Sequence, residues 1–267
     1  METGPDDYPS FDTRGILYPA RLPTFHRQAA PGEVAHLIRW FWIPRWELAP
    51  GRVSRQEVLA FPASNLVVGT DRISLSGPTT RVSHRDLKGA GWAVGALLRP
   101  AGLCALGVDP NKIVDSEIDI DAPELASLIH IAMSHSDHDK GRSNAVDCYV
   151  CWIVGNLSRP SDASIFANEM EDLIATDRTI VRVDQAAEAL GISVRSLQRL
   201  ARQFVGVSPL AIIRRYRLQE AAERLREDPS VTIAQISSDL AYSDQAHLSA
   251  DFRTVLGMAP GAYRLER

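Results

Sequence analysis

Apolar residues recur twice in the same order along the last 90 or so residues of the chain. Residues 183–191 match residues 233–241 at an offset of 50. After one extra residue in the second copy, residues 197–209 match residues 248–260 at an offset of 51, with Gly206 on Gly257 and Pro209 on Pro260. The apolar positions of each copy follow the three- and four-residue spacing of a helix face. This pattern predicts the same helix-turn-helix unit twice.

In the first copy, the second helix is expected to span residues 194–204. We expect Asp184 to cap the first helix, Gly191 to end it and Ser193 to cap the second. The buried face of the second helix is predicted to consist of Leu197, Leu200, Ala201 and Phe204. Polar residues take positions i, i+3, i+4 and i+7 on the opposite face, and they are Arg195, Gln198, Arg199 and Arg202.

These polar side chains have the chemistry that reads the major groove of DNA. Arginine can donate two hydrogen bonds to a guanine edge, and glutamine can pair in a similar way with adenine. A solvated helix face would carry similar residues. The position behind a helix, a glycine turn and a serine cap favours a recognition helix instead.

The second copy repeats the apolar order but has a less polar outer face. Thr232 or Ser230 is expected to cap its first helix, and its turn spans residues 241–243. The buried residues of its second helix are predicted to be Leu248, Phe252 and Val255. Its outward residues are Gln245, Ala246, Ser249, Ala250 and Arg253. Alanine offers no hydrogen bond, and Asp251 would repel phosphate if it faced DNA, so we expect the first copy to discriminate more between sequences.

One amphipathic segment joins the two copies. Ser208 is expected to cap this linker helix, Pro209 to take its first position and Asp228-Pro229 to end it. A rigid helix fixes the separation of the two reading helices. Both could then enter successive major-groove segments about 34 Å apart.

Several spaced motifs of the repeat resemble the AraC/XylS family of bacterial transcription regulators. The motifs are residues 193–200, residues 206–209, Arg217-Leu218 with Ala221, Phe252-Arg253, and residues 257–264. The resemblance implies two helix-turn-helix subdomains on double-stranded promoter DNA, with RNA polymerase as a candidate partner. The contacts it implies are Arg195, Gln198, Arg199, Gln245, Ala246, Ser249 and Ala250, and Ser196, Arg202 and Arg253 complete the predicted DNA-binding set. The chain departs from the family pattern at Ala250, where many members have arginine, and at Leu248, where phenylalanine is frequent.

Charge is distributed unevenly between the two halves. Residues 176–267 hold 13 Lys/Arg against 11 Asp/Glu, whereas residues 1–175 hold 16 against 22. Affinity for DNA must therefore come from charges placed on one face, not from bulk charge.

We expect a cytoplasmic protein without membrane contact, because no apolar run approaches the roughly 18 residues of a span and residues 1–10 are acidic and polar. Three cysteines also favour a reducing compartment over a disulfide framework.

Short apolar runs alternate with turn residues up to about Ile120, which predicts a small antiparallel sheet or barrel. In AraC-like regulators this place is usually held by a cupin-like sensing barrel, and the run from Trp92 to Pro100 is similar to one such class. The predicted fold is therefore α+β. It comprises a cupin-like antiparallel β-barrel (1–120), a helical pair (121–158), and an all-α tandem helix-turn-helix domain (159–267) with a linker helix.

Four of the five tryptophans lie in the N-terminal half, at positions 40, 42, 46 and 92. An apolar pocket for a small-molecule effector could be lined by Trp40, Trp42 and Trp92, with Arg99 as a polar group. Arg39 and His84 are further polar candidates. Tryptophans of a small β domain are more often simple core, and both interpretations stay open.

Two helices are predicted at residues 123–134 and 144–157. Family resemblance favours a homodimer interface on this pair, and residues 158–162 are expected to be an interdomain linker. Cys148 and Cys151 raise the alternative of a metal or thiol sensor together with His130, His135 and His138. We expect both cysteines on a buried face and the histidines in a solvated loop, which argues against it.

No catalytic residue, metal or cofactor is expected. The predicted barrel holds only three histidines, with no His-x-His pair, and neither a nucleophile motif nor a phosphate-binding loop is present. The sequence therefore favours a transcription regulator over an enzyme. A regulator without a ligand, whose N-terminal half serves only for dimerisation, stays open as an alternative.

Overall fold

A computed structural model describes residues 24–58, 60–81 and 83–265. Eight strands fill most of its N-terminal part, and every pair of them is antiparallel. They are β1 (Thr24–Ala29), β2 (Ile38–Glu47), β3 (Val53–Val58), β4 (Asn65–Gly69), β5 (Ile73–Ser76), β6 (Ser83–Lys88), β7 (Ala90–Leu98) and β8 (Glu117–Asp119). The predicted antiparallel sheet is therefore confirmed.

The sheet is open within the described ranges. Six strands follow the order β1-β2-β7-β4-β5-β8, and β3 pairs only with β6. The outer strands β1 and β8 do not pair with each other, and β8 is only three residues long. The described strands thus leave the two edges of the sheet unjoined, and the expected cupin-like barrel is not confirmed.

Ten helices are described after the sheet begins, and some of them cover its two faces. They are α1 (Pro100–Ala105), α2 (Pro123–Met133), α3 (His138–Asn156), α4 (Asp162–Thr176), α5 (Val183–Ala189), α6 (Val194–Phe204), α7 (Pro209–Glu227), α8 (Ile233–Asp239), α9 (Gln245–Leu256) and α10 (Pro260–Leu265). None of the described helices is long and apolar enough to cross a membrane. The overall class is α+β, with an N-terminal sheet and a helical C-terminal region.

The predicted helical pair is present as α2 and α3, but α3 starts earlier than expected. Asp137 caps it by accepting hydrogen bonds from the backbone N–H groups of Asp139 and Lys140. The pair packs on one face of the sheet, where Phe41, Val94 and Tyr149 are fully buried. The hydroxyl of Tyr149 donates to the carbonyl of Leu66 at 2.7 Å, so its polar end is satisfied inside this core.

The opposite face of the sheet shares a core with the first helix-turn-helix unit. Trp40, Phe61 and Leu97 of the N-terminal half lie in one cluster with buried residues of α4, α5, α6 and α7. Residues of the second unit form a separate cluster with the later part of α7. The hydrophobic cores therefore group the first unit with the sheet and leave the second unit with a core of its own.

Candidate nucleic-acid interface

The first helix-turn-helix unit is built from α5 and α6. Gly191 follows α5 with φ of 66°, a conformation that glycine adopts without a Cβ penalty. Ser193 caps α6, because its side chain accepts from the backbone N–H of Ser196 at 3.1 Å. The expected cap at Asp184 is wrong, because α5 begins at Val183 and Arg182 takes the N-cap position. The Gln185 side chain accepts from the backbone N–H of Arg182 there, at 2.9 Å.

Side chains of α6 separate into a buried and an exposed set, as predicted. Leu197 and Ala201 are fully buried, whereas Leu200 is half-buried. Ser196 is half-buried too, with its hydroxyl 2.9 Å from that of Ser193. The exposed set, which we call the first reading face, consists of Arg195, Gln198, Arg199 and Arg202.

The arginines of the first reading face have no acidic partner among the described residues. Its four residues line one shallow depression together with Asn111 and Gln203. None of its three arginines takes part in an ion pair within the described part of the chain. Their guanidinium groups are therefore available to phosphate or to base edges.

The second unit, α8 and α9, has the same plan with different end residues. Thr232, not Ser230, caps α8, and it exchanges hydrogen bonds with Gln235 as a capping box. Ala241 takes the place of Gly191 and has φ of 53°. Asp244 caps α9 by accepting from the backbone N–H of His247 at 2.7 Å.

The outer face of α9 carries Gln245, Ala246, Ala250 and Arg253, all exposed, and Ser249, which is half-buried. Leu248 and Phe252 are fully buried as expected, but Val255 is only half-buried. Leu256 fills the core position instead. We call the five outward residues the second reading face. Its single cation is Arg253, against three on the first.

Asp251 faces away from the second reading face. Its carboxylate lies 3.9 Å from Nε of Arg214 on α7, and its side chain is mostly buried. Beside it, the Arg217 guanidinium lies 4.0 Å from the centre of the Tyr242 ring. Burial lowers the pKa of Arg217, although Tyr242 and Asp251 act in the opposite direction. This cluster packs α9 onto the linker helix, so the carboxylate that could have repelled phosphate serves to orient the unit.

The linker helix α7 is continuous through both units, as predicted. Ser208 caps it, accepting from the backbone N–H of Ala211 at 3.3 Å, and Pro209 takes its first position. Its early residues Ile212 and Tyr216 belong to the first core, whereas Leu218 and Leu225 belong to the second. One rigid element therefore sets the spacing of the two reading faces.

The residues proposed for an effector pocket lie on both faces of the sheet. Trp40 is buried edge-on against Phe61, with ring centres 4.8 Å apart, at the contact between the sheet and the first unit. Trp42 donates to the side-chain oxygen of Asn65 at 2.9 Å. Trp92 lies on the opposite face, against His130 of α2. Arg99 donates to the carboxylate of Asp172.

An ion-pair network, which sequence reasoning missed, joins the sheet to α4. Nη2 of Arg39 lies 3.1 Å from Glu171 and 2.7 Å from Asp172, and Arg99 also pairs with Asp172. Burial lowers the pKa of Arg39, but Glu171, Tyr216 and Asp172 raise it more, so it lies above its ordinary value. This network holds α4 on the N-terminal half. The sequence showed Arg39 and Arg99 only as polar candidates, and their partners lie more than 70 residues away.

A second junction lies on α7, where Arg215 donates to the carbonyl of Thr79. Burial lowers the pKa of Arg215 to about 10, with Asp115 acting in the opposite direction. On α4, Asn168 donates to the carbonyl of His36 at 2.8 Å and accepts from the N–H of Ala101 at 3.0 Å. These hydrogen bonds join polar groups across the interface, whereas Nε of Arg39, Nε of Arg99 and Nη1 of Arg215 are buried there without a hydrogen-bond partner in the described part of the chain.

The cysteine and histidine predictions need correction. Cys148 is half-buried and Cys151 is exposed, because the buried face of α3 passes through Tyr149 and Val150. His130 belongs to α2 and His138 begins α3, which leaves His135 alone in the connecting loop. Among the described residues, no three His, Cys, Asp or Glu are grouped so that they could hold a metal ion.

Comparison with known proteins finds similar sequences for both halves of the chain. Residues 186–266 match the family described as a helix-turn-helix domain, and residues 26–119 match a domain of unknown function (DUF6597). An AraC-like transcription regulator of Streptomyces lividans is 33% identical over 102 residues, 35% of this chain and 33% of that protein. A second, of Streptomyces antibioticus, is 31% identical over 137 residues, 51% of this chain and 41% of that protein.

A longer match extends into the N-terminal half. The transcriptional activator NphR of Rhodococcus is 28% identical over 220 residues, which cover 79% of this chain and 57% of that protein. The chain thus spans between 33% and 57% of the length of these three relatives. The repeat and its matches define a C-terminal region built from helix-turn-helix units. This region is similar to AraC-like transcription regulators over the shares of each chain given above.

Proposed function

We propose that this protein regulates transcription by binding double-stranded promoter DNA through both reading faces. The observation that carries the proposal is the first reading face, where three arginines and a glutamine are exposed and free of ion pairs in the described chain. The linker helix would present α6 and α9 to successive major-groove segments. RNA polymerase is the partner that an activator at a promoter would contact.

Genome-wide mapping of bound DNA, with the full chain expressed in a bacterial host, tests this function. We expect discrete sites upstream of genes that share one asymmetric sequence motif. The matched control is a variant with Arg195, Arg199 and Arg202 all replaced by alanine, which should lose these sites while remaining folded. Occupancy without a shared motif, or equal occupancy by the control variant, would contradict the proposal.

We further propose that the three regions have separate tasks: residues 1–120 sense a small-molecule effector in a cupin-like domain, residues 121–158 pair two copies, and residues 159–267 bind DNA. Effector control is supported by β2, which carries Trp40 into the core of the first unit and Arg39 onto α4. A ligand held near this strand could therefore alter the position of α6. A small molecule that acts as the effector should change the affinity of the wild-type protein for its operator. If no small molecule changes this affinity, the alternative of a regulator without a ligand is favoured.

The homodimer proposal rests on the outer surface of α2 and α3. Leu128, Ile131 and Val154 are large apolar residues that stay 42%, 70% and 59% exposed. Exposed apolar side chains that form a patch often mark a contact with another protein, which is here a second copy of the chain. Light scattering should give twice the chain mass for the wild type and a lower mass for Ile131→Asp. A monomeric wild type would contradict this part of the proposal.

The relatives give no support to an enzyme, since their names describe transcription regulators. A thiol sensor at Cys148 and Cys151 has less support than DNA binding. Burial raises the pKa of the Cys148 thiol, and Cys151 and Asp147 raise it further, which reduces the thiolate that oxidants and metals react with.

A further inference from the structure

A short 3₁₀ turn of the N-terminal half, Pro110–Lys112, lies against the end of the recognition helix α6. The carboxylate of Asp109 caps the turn, accepting from the backbone and side-chain nitrogens of Asn111 at 3.0 Å each. The same side-chain amide donates to the carbonyl of Arg202 at 3.1 Å. Contact with α6 is thus made by a residue that lies 91 positions before Arg202.

Pro110 strengthens this attachment. It is buried, and it packs on Gly206 so closely that a Cβ at that glycine would lie 2.8 Å from the Pro110 carbonyl oxygen. Gly206 also has φ of 86°, a conformation that disfavours other residues. The turn therefore has a defined place at the C-terminal end of α6.

Asn111 borders the same depression as the first reading face. Both of its amide partners, the Asp109 carboxylate and the Arg202 carbonyl, can only accept hydrogen bonds. The orientation of the amide is therefore fixed, with its nitrogen toward α6 and Asp109. The turn therefore lies at the edge of the first reading face.

We infer that the turn is part of the DNA-binding surface and that Lys112 binds a phosphate of the DNA backbone beside the first half-site. This inference rests on the proposed function. In helix-turn-helix proteins the N-terminal residues of the recognition helix contact base edges. The C-terminal end of α6, where the turn lies, is then directed toward the sugar-phosphate backbone.

Charge at the turn favours such a contact. Lys112 is exposed and makes no ion pair in the described part of the chain. The neighbouring Asp109 carboxylate stays ionised, because the side-chain and backbone hydrogen bonds of Asn111, and then the charge of Lys112, lower its pKa. The three arginines that border the depression together with Asn111 outnumber this single carboxylate. A lysine ammonium binds phosphate as a point charge without reading bases. Lys112 should thus add affinity for any duplex and little discrimination between sequences.

The test compares full-length Lys112→Ala with the wild type and with Lys88→Ala. Lys88 is another exposed lysine of the N-terminal half, at the end of β6, so its replacement removes the same charge from a different element. Binding to a labelled operator duplex and to a scrambled duplex is titrated between about 50 and 200 mM salt. We expect Lys112→Ala to weaken binding to both duplexes about three- to tenfold and to reduce the salt slope by about 0.9, with Lys88→Ala unchanged.

Unchanged affinity and slope for Lys112→Ala would overturn the inference, since no phosphate contact would have been lost. Tighter binding by this variant would overturn it as well, because the turn would then obstruct DNA. A wild type that binds operator and scrambled duplex equally contradicts the proposed function instead. The scrambled duplex still decides the inference in that case, because a phosphate contact does not depend on sequence.

Discussion

At the scale of single residues, the two cysteines of α3 differ although they are three positions apart. Cys151 is exposed, whereas Cys148 is half-buried and the pKa of its thiol is raised by burial, then by Cys151 and Asp147. Thiolate is the reactive form, so we expect a maleimide at neutral pH to label Cys151 well before Cys148. Mass spectrometry of digested, partly labelled protein measures both rates, with exposed Cys104 as an internal reference. Equal labelling of Cys148 and Cys151 would contradict this order.

Individual residues also show how much of the candidate site the sequence could predict. Helical spacing was sufficient to divide α6 into a buried side with Leu197 and an exposed side with Arg199. It could not predict Asn111 beside Arg202, because that contact arises from packing of distant segments. Helical spacing also could not predict that the Asp251 side chain turns toward Arg214 and Tyr242 of neighbouring elements.

At the scale of elements, the two turns provide a matched pair of substitutions. Gly191 and Ala241 occupy equivalent positions with φ of 66° and 53°. Alanine is strained there, because its Cβ approaches the following carbonyl. We expect Ala241→Gly to raise the free energy of unfolding by up to about 1 kcal/mol, and Gly191→Ala to lower it by about 1 to 2 kcal/mol.

Urea denaturation followed by circular dichroism measures both changes. A Cβ at Gly191 would meet no atom within 4 Å, so its effect reports backbone strain alone. Ala189→Gly, in the exposed last turn of α5, is the control, and it should destabilise by roughly 0.5 to 1 kcal/mol through helix propensity. Destabilisation by Ala241→Gly would show that the strain argument is wrong.

Helices that begin at a capping residue were predictable from the sequence, and a helix without a clear pattern of apolar residues was not. Caps at Ser193, Ser208 and Thr232 confirm the starts expected for α6, α7 and α8. The pattern of apolar residues did not predict α4, whose polar residues Asn168 and Glu171 are buried against the N-terminal half. A helix with polar residues on its packed face lacks the simple amphipathic pattern, because its partners lie elsewhere in the chain.

At the scale of the whole molecule, the shared core couples the sheet to the first unit. Trp40 lies in this core, and its replacement by alanine should cost about 3 to 5 kcal/mol. We expect Trp40→Ala to speed hydrogen exchange in α5 and α6 as well as in β2. The second unit, α8 and α9, should change little because its core is separate.

Hydrogen exchange followed by mass spectrometry resolves these segments. Phe252→Ala is the matched control, because Phe252 is fully buried in the second core. It should deprotect α8 and α9 and leave β2 and α5 unchanged. Faster exchange of β2 alone in Trp40→Ala would mean that the sheet and the first unit unfold independently.

Operator binding by Arg199→Ala and Ser249→Ala, with Arg159→Ala as the control, tests whether the first reading face discriminates between sequences more than the second. Arg199 lies on the first reading face and Ser249 on the second, whereas Arg159 is exposed between α3 and α4. We predict that Arg199→Ala weakens binding to the mapped operator by about 1 to 3 kcal/mol and relaxes its specificity, while Ser249→Ala has a smaller effect and Arg159→Ala none. A larger loss from Ser249→Ala than from Arg199→Ala would contradict the account.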